Sequence, residues 1–374
     1  MWQPQGFYNQ YVLRTPIILT GEKAIQGLYN YPAVKIAVIH GKSFKDHDLF
    51  VKTLKKKSIQ FFERSWNGEP DIAGLSGTIE QLEEYQPDTI IAVGGGSVID
   101  GAKMCRLFLE CPYYIPGETR LSGNVLGTKF VAVPTTIGSG AEVSSAAVFV
   151  DHDVKSKDMV IMHDMQPEVI VYDKRYVEHT SKRLLIASAL DAMAHIVEGY
   201  VSVINNSFID VMAETGLSIL HLELEKLLVD SGSIDFERLM YAGYLGGLVQ
   251  NHCIVGAAHG VAHQLTDHGF SHGEAIGLLL SGVMALNAEN DAVAEKYEKI
   301  SRRAGFSAHS QLQSFIEKLL TISGIADDRM KLKRLLVDLV NQKDLCEHIR
   351  NDQGGKGNPV PITDEYLGQL VERI

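Results

Sequence analysis

The chain has 374 residues, 45% of them hydrophobic, with 35 basic and 46 acidic side chains and a net charge of −11. That length suits two cores rather than one, and the acidic balance argues against a nucleic-acid partner. No basic stretch followed by an apolar run opens the chain, and no apolar run reads as long enough for a bilayer, so neither a secretion signal nor a membrane partner is expected. Cys105, Cys111, Cys253 and Cys346 have no C-x-x-C spacing and read as free thiols of a reducing cytoplasm.

Up to about residue 165, the short apolar runs KIAVIH, SIQFFER, DTIIAV, KFVAVP and AAVFVD alternate with helical segments, and EVIVYD follows. This pattern predicts an α/β Rossmann-like domain over residues 1–180 with a mostly parallel sheet. Lys55 to Lys57 read as a solvated helix end. DTIIAV runs into GGGSVIDGAK. Gly94 to Gly96 allow a tight turn with exposed N–H groups, and Ser97 is placed to cap a helix from about Val98. A glycine turn at a helix N-terminus is an anion site, which assigns a pyrophosphate to Gly95, Gly96 and Ser97. A bare GGGS also occurs as a flexible turn; the strand before it and the apolar helix after it favour the site. Beyond KFVAV, the loop PTTIGSGAEVSS presents the hydroxyls of Thr135, Thr136, Ser139 and Ser144 to a nucleotide. Taken alone, that loop would read as a Ser/Thr-rich turn.

From about Ser181 the apolar spacing is helical, as in DVMAETGLSILHLELEKLLVD and DDRMKLKRLLVDLVNQKDLCEHIR. An all-α domain over residues 181–374 is expected. QGGKGNPVP reads as a surface turn before the last helix. In ALDAMAHIVEGY, Asp191 and His195 are four apart and share a helix face, although such a pair is also an ordinary surface contact. His252, His259, His263, His268 and His272 then fall within 21 residues among Gly and Ala. Asp191, His195, His259 and His272 make a carboxylate–imidazole set suited to Fe2+ or Zn2+ with a position left for a substrate oxygen. Cys253, beside this cluster, reads as a packed thiol. Ligands are expected outside the carboxyl ends of the strands, in the cleft against the helical domain.

GGGSVIDGAK, PTTIGSGAEV, ALDAMAHIVEGY, the HGVAH segment, HGEAIG and, more weakly, GNPVP together resemble the iron-containing (group III) alcohol dehydrogenase family within the dehydroquinate synthase-like fold. The likeness runs from TPIILTGE to GNPVPIT, nearly the whole chain. It implies an NAD(P)-dependent oxidoreductase acting on a small alcohol, polyol or sugar-derived alcohol by direct hydride transfer. It implies a divalent metal, Fe2+ or Zn2+, held by Asp191, His195, His259 and His272. His263 falls on a family position near nicotinamide and substrate, and is the candidate for proton relay or substrate orientation. Asp100 and Lys157 complete the expected cofactor contacts. A homo-oligomer, most simply a dimer, is implied as well. Family members that select NAD carry an Asp just past the first Rossmann-like strand; here Gly41 stands there, followed by Lys42 and Ser43. Without a carboxylate to repel a 2′-phosphate, NADP(H) is favoured.

Three segments depart from the family pattern: PTTIGSGAEV has Ser139 at a usual Thr, HGEAIG replaces HGxANA, and GLVQNHCIVGAAH carries Gln250, His252 and Cys253. Gln250, Asn251 and His252 keep a sugar-acid alcohol oxidase-like activity open. A dehydroquinate synthase-like reaction is disfavoured, because no Lys or Arg lies between Arg238 and Lys296 to hold a phosphorylated substrate. A non-catalytic metal- or nucleotide-binding protein is disfavoured by the complete ligand and glycine motifs.

Overall fold

The computed structural model describes residues 15–55, 57–115, 119, 126–151, 156–229, 232–265, 268–341, 345–352 and 355–374. Its first half is a six-stranded sheet in the order β1-β8-β5-β4-β2-β3. The strands are β1 (Ile17–Thr20), β2 (Lys35–His40), β3 (Ser58–Glu63), β4 (Thr89–Gly94), β5 (Lys129–Pro134) and β8 (Val169–Tyr172). All pairings within it are parallel.

Side-chain alternation divides the sheet's two faces. Ala37, Ile39, Ile90, Ala92, Phe130 and Ala132 enter a core under the helices α2 (Ile72–Tyr85) and α3 (Gly96–Glu110). Their neighbours Ile36, Val38, Ile91, Val93, Val131 and Val133 enter a second core, with Phe50 of α1 (His47–Thr53). Burial on both faces is why these strands read as continuous apolar runs. AAVFVD is the exception to the sheet expected from sequence. As β6 (Ala146–Asp151) it pairs antiparallel with β7 (Ser156–Ile161) in a separate hairpin.

The chain leaves β2 outward to β3 and leaves β4 outward to β5, on the opposite side. The gap between β2 and β4 is therefore the topological switch point, where ligands bind at the carboxyl ends. Gly41 follows β2 there, and its N–H donates to Val93 O of β4 at 3.3 Å.

The second half is helical around α4 (Lys182–Val201), whose N-cap Ser181 accepts from Leu184 N. Around it lie α5 (Ser207–Val229), α6 (Phe236–His252), α7 (Ala257–His263) and α8 (His272–Asn287). Then come α9 (Asp291–Arg303), α10 (His309–Ser323), α11 (Arg329–Val340), α12 (Leu345–Asn351) and α13 (Asp364–Arg373). Ile170 and Tyr172 of β8 join the helical core, so the last strand ties the two halves together.

Three readings from sequence need correction. α4 is long and apolar enough to cross a membrane, with a mean hydropathy of 1.4, but 89% of that window is buried inside the protein. Its apolar surface is spent on neighbouring helices. QGGKGNPVP is only in part a surface turn: Gln353 and Gly354 lie outside the described residues, Lys356 and Pro361 are exposed, and Gly355, Gly357 and Asn358 are buried. A Cβ on Gly357 would overlap the carbonyl oxygens of Val255 and Ile254, so glycine here serves close packing rather than a solvent turn. Lys57 is not a solvated helix end, since its ammonium donates to the carbonyls of Tyr31 and Ala33.

Candidate metal centre and cofactor cleft

The cofactor side is built where β4 turns into α3. Helix α3 begins at Gly96 with Gly95 as its N-cap, and no side chain caps it. Ser97 is therefore inside the first turn rather than the cap expected from sequence. Its hydroxyl bonds to Gly68 O and accepts from Arg64 Nη1 at 2.9 Å. Trp66 Nε1 reaches the same oxygen at 3.3 Å. The β3–α2 loop thus occupies the hydroxyl, which leaves the N–H groups of the turn as the candidate anion site.

The structure brings the second loop onto this turn. Thr135 N donates to Gly94 O at 3.0 Å. A Cβ on Gly95 would lie 3.2 Å from Thr136 Cγ2, and one on Gly96 would lie 2.7 Å from Ser139 Cβ. Ser144 turns back on its own chain, accepting from Ala146 N at 2.8 Å. Asp100 accepts from Val148 N at 3.2 Å and pairs with Lys103 at 3.3 Å. Burial raises the Asp100 carboxyl and lowers the Lys103 ammonium. Lys103 also donates to Ser144 O at 3.1 Å and Ala146 O at 2.6 Å, so this pair clamps the far end of the loop. Lys157 is in β7, and its side chain lies outside the described residues.

The loop reaches the helical domain through glycine. A Cβ on Gly138 would overlap the Ser188 carbonyl of α4, and one on Gly243 would overlap the Ile137 carbonyl. Ser188 is three residues, nearly one turn, before Asp191. Close glycine packing therefore joins the nucleotide loop to the metal cluster.

That cluster gathers from three helices. α4 carries Asp191, His195 and Glu198 on one face, α7 carries His259 and His263, and α8 opens with His272. Ser271 and Glu274 form a capping box that starts α8 at His272. Arg183 of α4 grips Glu274 at 2.5 Å. Three imidazole Nε2 atoms converge on one oxygen, Asp191 Oδ1: His259 at 3.5 Å, His195 at 3.6 Å and His272 at 3.7 Å. The ligating atoms of Asp191, His195 and His259 all lie within 4.8 Å of one another.

These separations decide between a hydrogen-bonded cluster and a metal site. They are too long for hydrogen bonds. Ligands about 2.1 Å from a common ion at tetrahedral angles stand about 3.4 Å apart. Asp191 Oδ1 and His259 Nε2 are buried with no hydrogen-bond partner among the described residues. Such orphaned atoms facing one another are expected where an ion belongs. The electrostatics agree. Burial would raise the Asp191 carboxyl, but the surrounding imidazoles hold it well below the usual carboxylate range. Burial pushes His195 down to about 4 and keeps it neutral, as a ligand must be. Burial also opposes charge on His259, yet Asp191 and Glu198 on either side raise it to about 9. Two carboxylates flanking one buried ring call for positive charge.

His263 stands beside this set, its ring stacked on His272 with centroids 5.3 Å apart. Its Nδ1 lies 3.0 Å from both Asp352 oxygens. His252 closes α6 against Leu248 O, and His268 is exposed; neither joins the cluster. Asn251 accepts from Ser145 N and Oγ at 2.9 and 3.0 Å. Asn251 and His252 thus bond to neighbouring backbone, while Gln250 Oε1 is buried with no hydrogen-bond partner among the described residues. Cys253 packs in the helical core, where burial pushes its thiol up to about 12.

Sequence reasoning missed two carboxylates. Glu198 contacts His259 Nδ1 at 2.6 Å; its position seven residues after Asp191 on one helix was the available signal. Asp352 is distant in sequence from His263, and no spacing pointed to it.

Comparison with known proteins shows the family of the chain. The family described as iron-containing alcohol dehydrogenase matches residues 15–174, and the C-terminal domain of the Fe-containing alcohol dehydrogenase family matches residues 185–374. The chain belongs to the iron-containing alcohol dehydrogenase family. It is 27% identical to an alcohol dehydrogenase of Thermococcus barophilus over 319 residues, covering 82% of each chain. It is 25% identical to an NADPH-dependent butanol dehydrogenase of Clostridium saccharobutylicum over 375 residues, covering 96% of each. Its fold matches the structure of an iron-containing alcohol dehydrogenase from Thermococcus thioreducens with a TM-score of 0.85 at 24% identity, covering 96% of this chain and 97% of that one. The fold of this family is the expected one: a parallel-sheet domain followed by a helical domain.

Proposed function

We propose that the protein is a metal-dependent, NAD(P)-linked alcohol dehydrogenase acting on a small alcohol or, in reverse, an aldehyde or ketone. The observation that carries this reading is the convergence of three Nε2 atoms on Asp191 Oδ1, beside a loop that packs on the glycine turn. Asp191, His195, His259 and His272 would hold Fe2+ or Zn2+. A bound ion there supplies Lewis acidity toward a substrate oxygen, and nicotinamide supplies the hydride chemistry. The N–H groups around Gly95 and Gly96 orient the pyrophosphate, with Thr135, Thr136 and Ser139 lining the nucleotide. With Nδ1 of His263 held by Asp352, Nε2 is the atom through which that ring exchanges a proton. The buried helix α4 shields Asp191, His195 and His259, while His272 stays partly exposed on the open side of the cluster.

The reading extends to cofactor choice. Gly41 lies at the switch point with no carboxylate of its own, and Lys42 beside it reaches Asn67 Oδ1 at 3.1 Å. This supports acceptance of NADP(H), and preference for it. The division at residues 180 and 181 is proposed to separate the nucleotide-binding and metal-binding domains. Four buried free thiols suit a reducing cytoplasm, and a homodimer is the proposed assembly, to be read by sedimentation.

The direct test is an alcohol and aldehyde panel with NAD(P)(H) absorbance after loading with Fe2+ and, separately, Zn2+. Turnover is expected in wild type, and loss of both bound metal and turnover in His259→Ala. Full metal retention in both His259→Ala and His272→Ala would reject the site.

A further inference from the structure

We propose that Glu198 is the positioning residue of the metal centre: it fixes the His259 ring so that Nε2 faces the ion. The inference rests on the metal site proposed above and adds a residue to it.

Glu198 is 1% exposed and lies on α4, three residues after His195. Its carboxylate is shared among three N–H groups of another helix. Oε2 accepts from Gly256 N at 3.0 Å and lies 2.6 Å from His259 Nδ1; Oε1 accepts from Ala258 N at 2.7 Å. The N-cap of α7, Gly256, offers no side chain to the helix it starts, so the orphan N–H groups of that first turn must find partners elsewhere. Glu198 takes two of them, and Asn358 Oδ1 takes Ala257 N at 3.2 Å.

The Glu198 carboxylate accepts from Gly256 N and Ala258 N and faces His259 Nδ1 as a third donor, so the imidazole proton on that side sits on Nδ1. With an ion in place of the second proton, the lone pair on Nε2, the atom 3.5 Å from Asp191 Oδ1, is the one offered to it. One α4 side chain therefore sets the tautomer and the rotation of a ligand on α7, and fixes that short helix relative to the two ligands α4 itself supplies. Carboxylates that bind the far nitrogen of a ligating His raise its basicity and affinity.

Glu198→Gln keeps the shape and removes this logic. Both carboxylate oxygens face N–H donors, so an amide in either orientation turns its own N–H groups against one of them. The measurement is Zn2+ affinity of the metal-stripped protein by competition with a chromophoric chelator. Glu198→Gln is expected to weaken it by about 10- to 100-fold. Asn358→Ala, which removes the neighbouring cap and leaves the imidazole contact, is expected to lower thermal stability and keep Zn2+ affinity. Unchanged affinity in Glu198→Gln, or equal losses in the two variants, would overturn the proposal and make Glu198 a helix cap alone. If Glu198→Gln does not fold, proton NMR of the Zn2+-loaded wild type decides. A His259 Nδ1–H signal protected from exchange is expected, and its absence would overturn the proposal. Failure of wild type to bind Zn2+ at all would instead reject the metal site itself.

Discussion

At the scale of single residues, two positions separate chemistry from scaffold. Gly41 has no left-handed φ, and a Cβ there would lie 3.7 Å from Val98 Cγ2, an ordinary contact. Asp therefore fits without strain. Gly41→Asp is expected to turn preference toward NAD(H), because its carboxylate would repel a 2′-phosphate and accept from ribose hydroxyls. The check is kcat/KM for both cofactors in wild type and variant; an unchanged ratio would show that this strand end does not read the phosphate. His263 is the second position. It touches His272 and Asp352 but does not converge on Asp191. His263→Ala is expected to retain the metal and lower turnover by about 10²- to 10⁴-fold, the usual contribution of a proton-transferring group. Asp352→Asn should lower turnover in the same direction by freeing the ring to adopt its other tautomer. Metal analysis alongside single-turnover kinetics separates the cases, and metal loss in His263→Ala would make that residue a ligand.

At the scale of elements, glycine governs how loop and helix meet. The loop after β5 rests on α4 because Gly138 lets it lie against the Ser188 carbonyl. Gly138→Ala forces that backbone contact apart, at a cost of about 1–3 kcal/mol for overpacking a close site. The same shift would displace Thr136 and Ser139 from the glycine turn. A lower melting temperature together with weaker dinucleotide binding by calorimetry is expected; unchanged nucleotide affinity would mean that the loop does not line the cofactor. The hairpin β6–β7 teaches a related lesson. AAVFVD has the composition of a sheet strand, yet it pairs with β7 and is held outside the sheet by Asp100 on Val148 N, Lys103 on Ala146 O and Pro70 O on Val150 N.

At the scale of the whole molecule, the metal cluster is also a joint. Its residues come from α4, α7 and α8, and Glu198 and Asn358 tie in the C-terminal segment through Ala257, Ala258 and Asn287. An ion bound only in the folded state stabilises by mass action, about 4 kcal/mol at a thousandfold excess over Kd. Chelation is therefore expected to lower the unfolding temperature, re-addition of Zn2+ or Fe2+ to restore it, and His272→Ala to shrink the difference. Calorimetric scans of stripped and reloaded protein test this; identical melting would place no ion at the joint.

Strands β2 to β6 and β8, the glycine turn, the helical second half and the candidate ligands Asp191, His195, His259 and His272 were legible in the chain itself, while the edge strand β1 and the hairpin strand β7 were not. Most of the legible features are local signals: a period of two, a period of 3.6, a strand–glycine–helix succession, or the spacing of four between Asp191 and His195; His259 and His272 were picked from a dense histidine cluster by the family resemblance. Other features followed only from tertiary structure. The hydroxyl of Ser97 is claimed by Arg64 and Gly68 from another loop, which no local reading of GGGS contains. Asp352 meets His263 across 89 residues of sequence. Asn251 reads as a pocket residue by polarity, and the structure ties it to Ser145 across the two halves. GNPVP reads as a turn by composition, yet its Gly357 is buried against a neighbouring backbone that fills the space a Cβ would need. Periodicity reports which face of an element is covered. Which distant backbone or carboxylate covers it is decided when the elements pack, since hydrogen-bond partners are chosen by proximity in space and not along the chain.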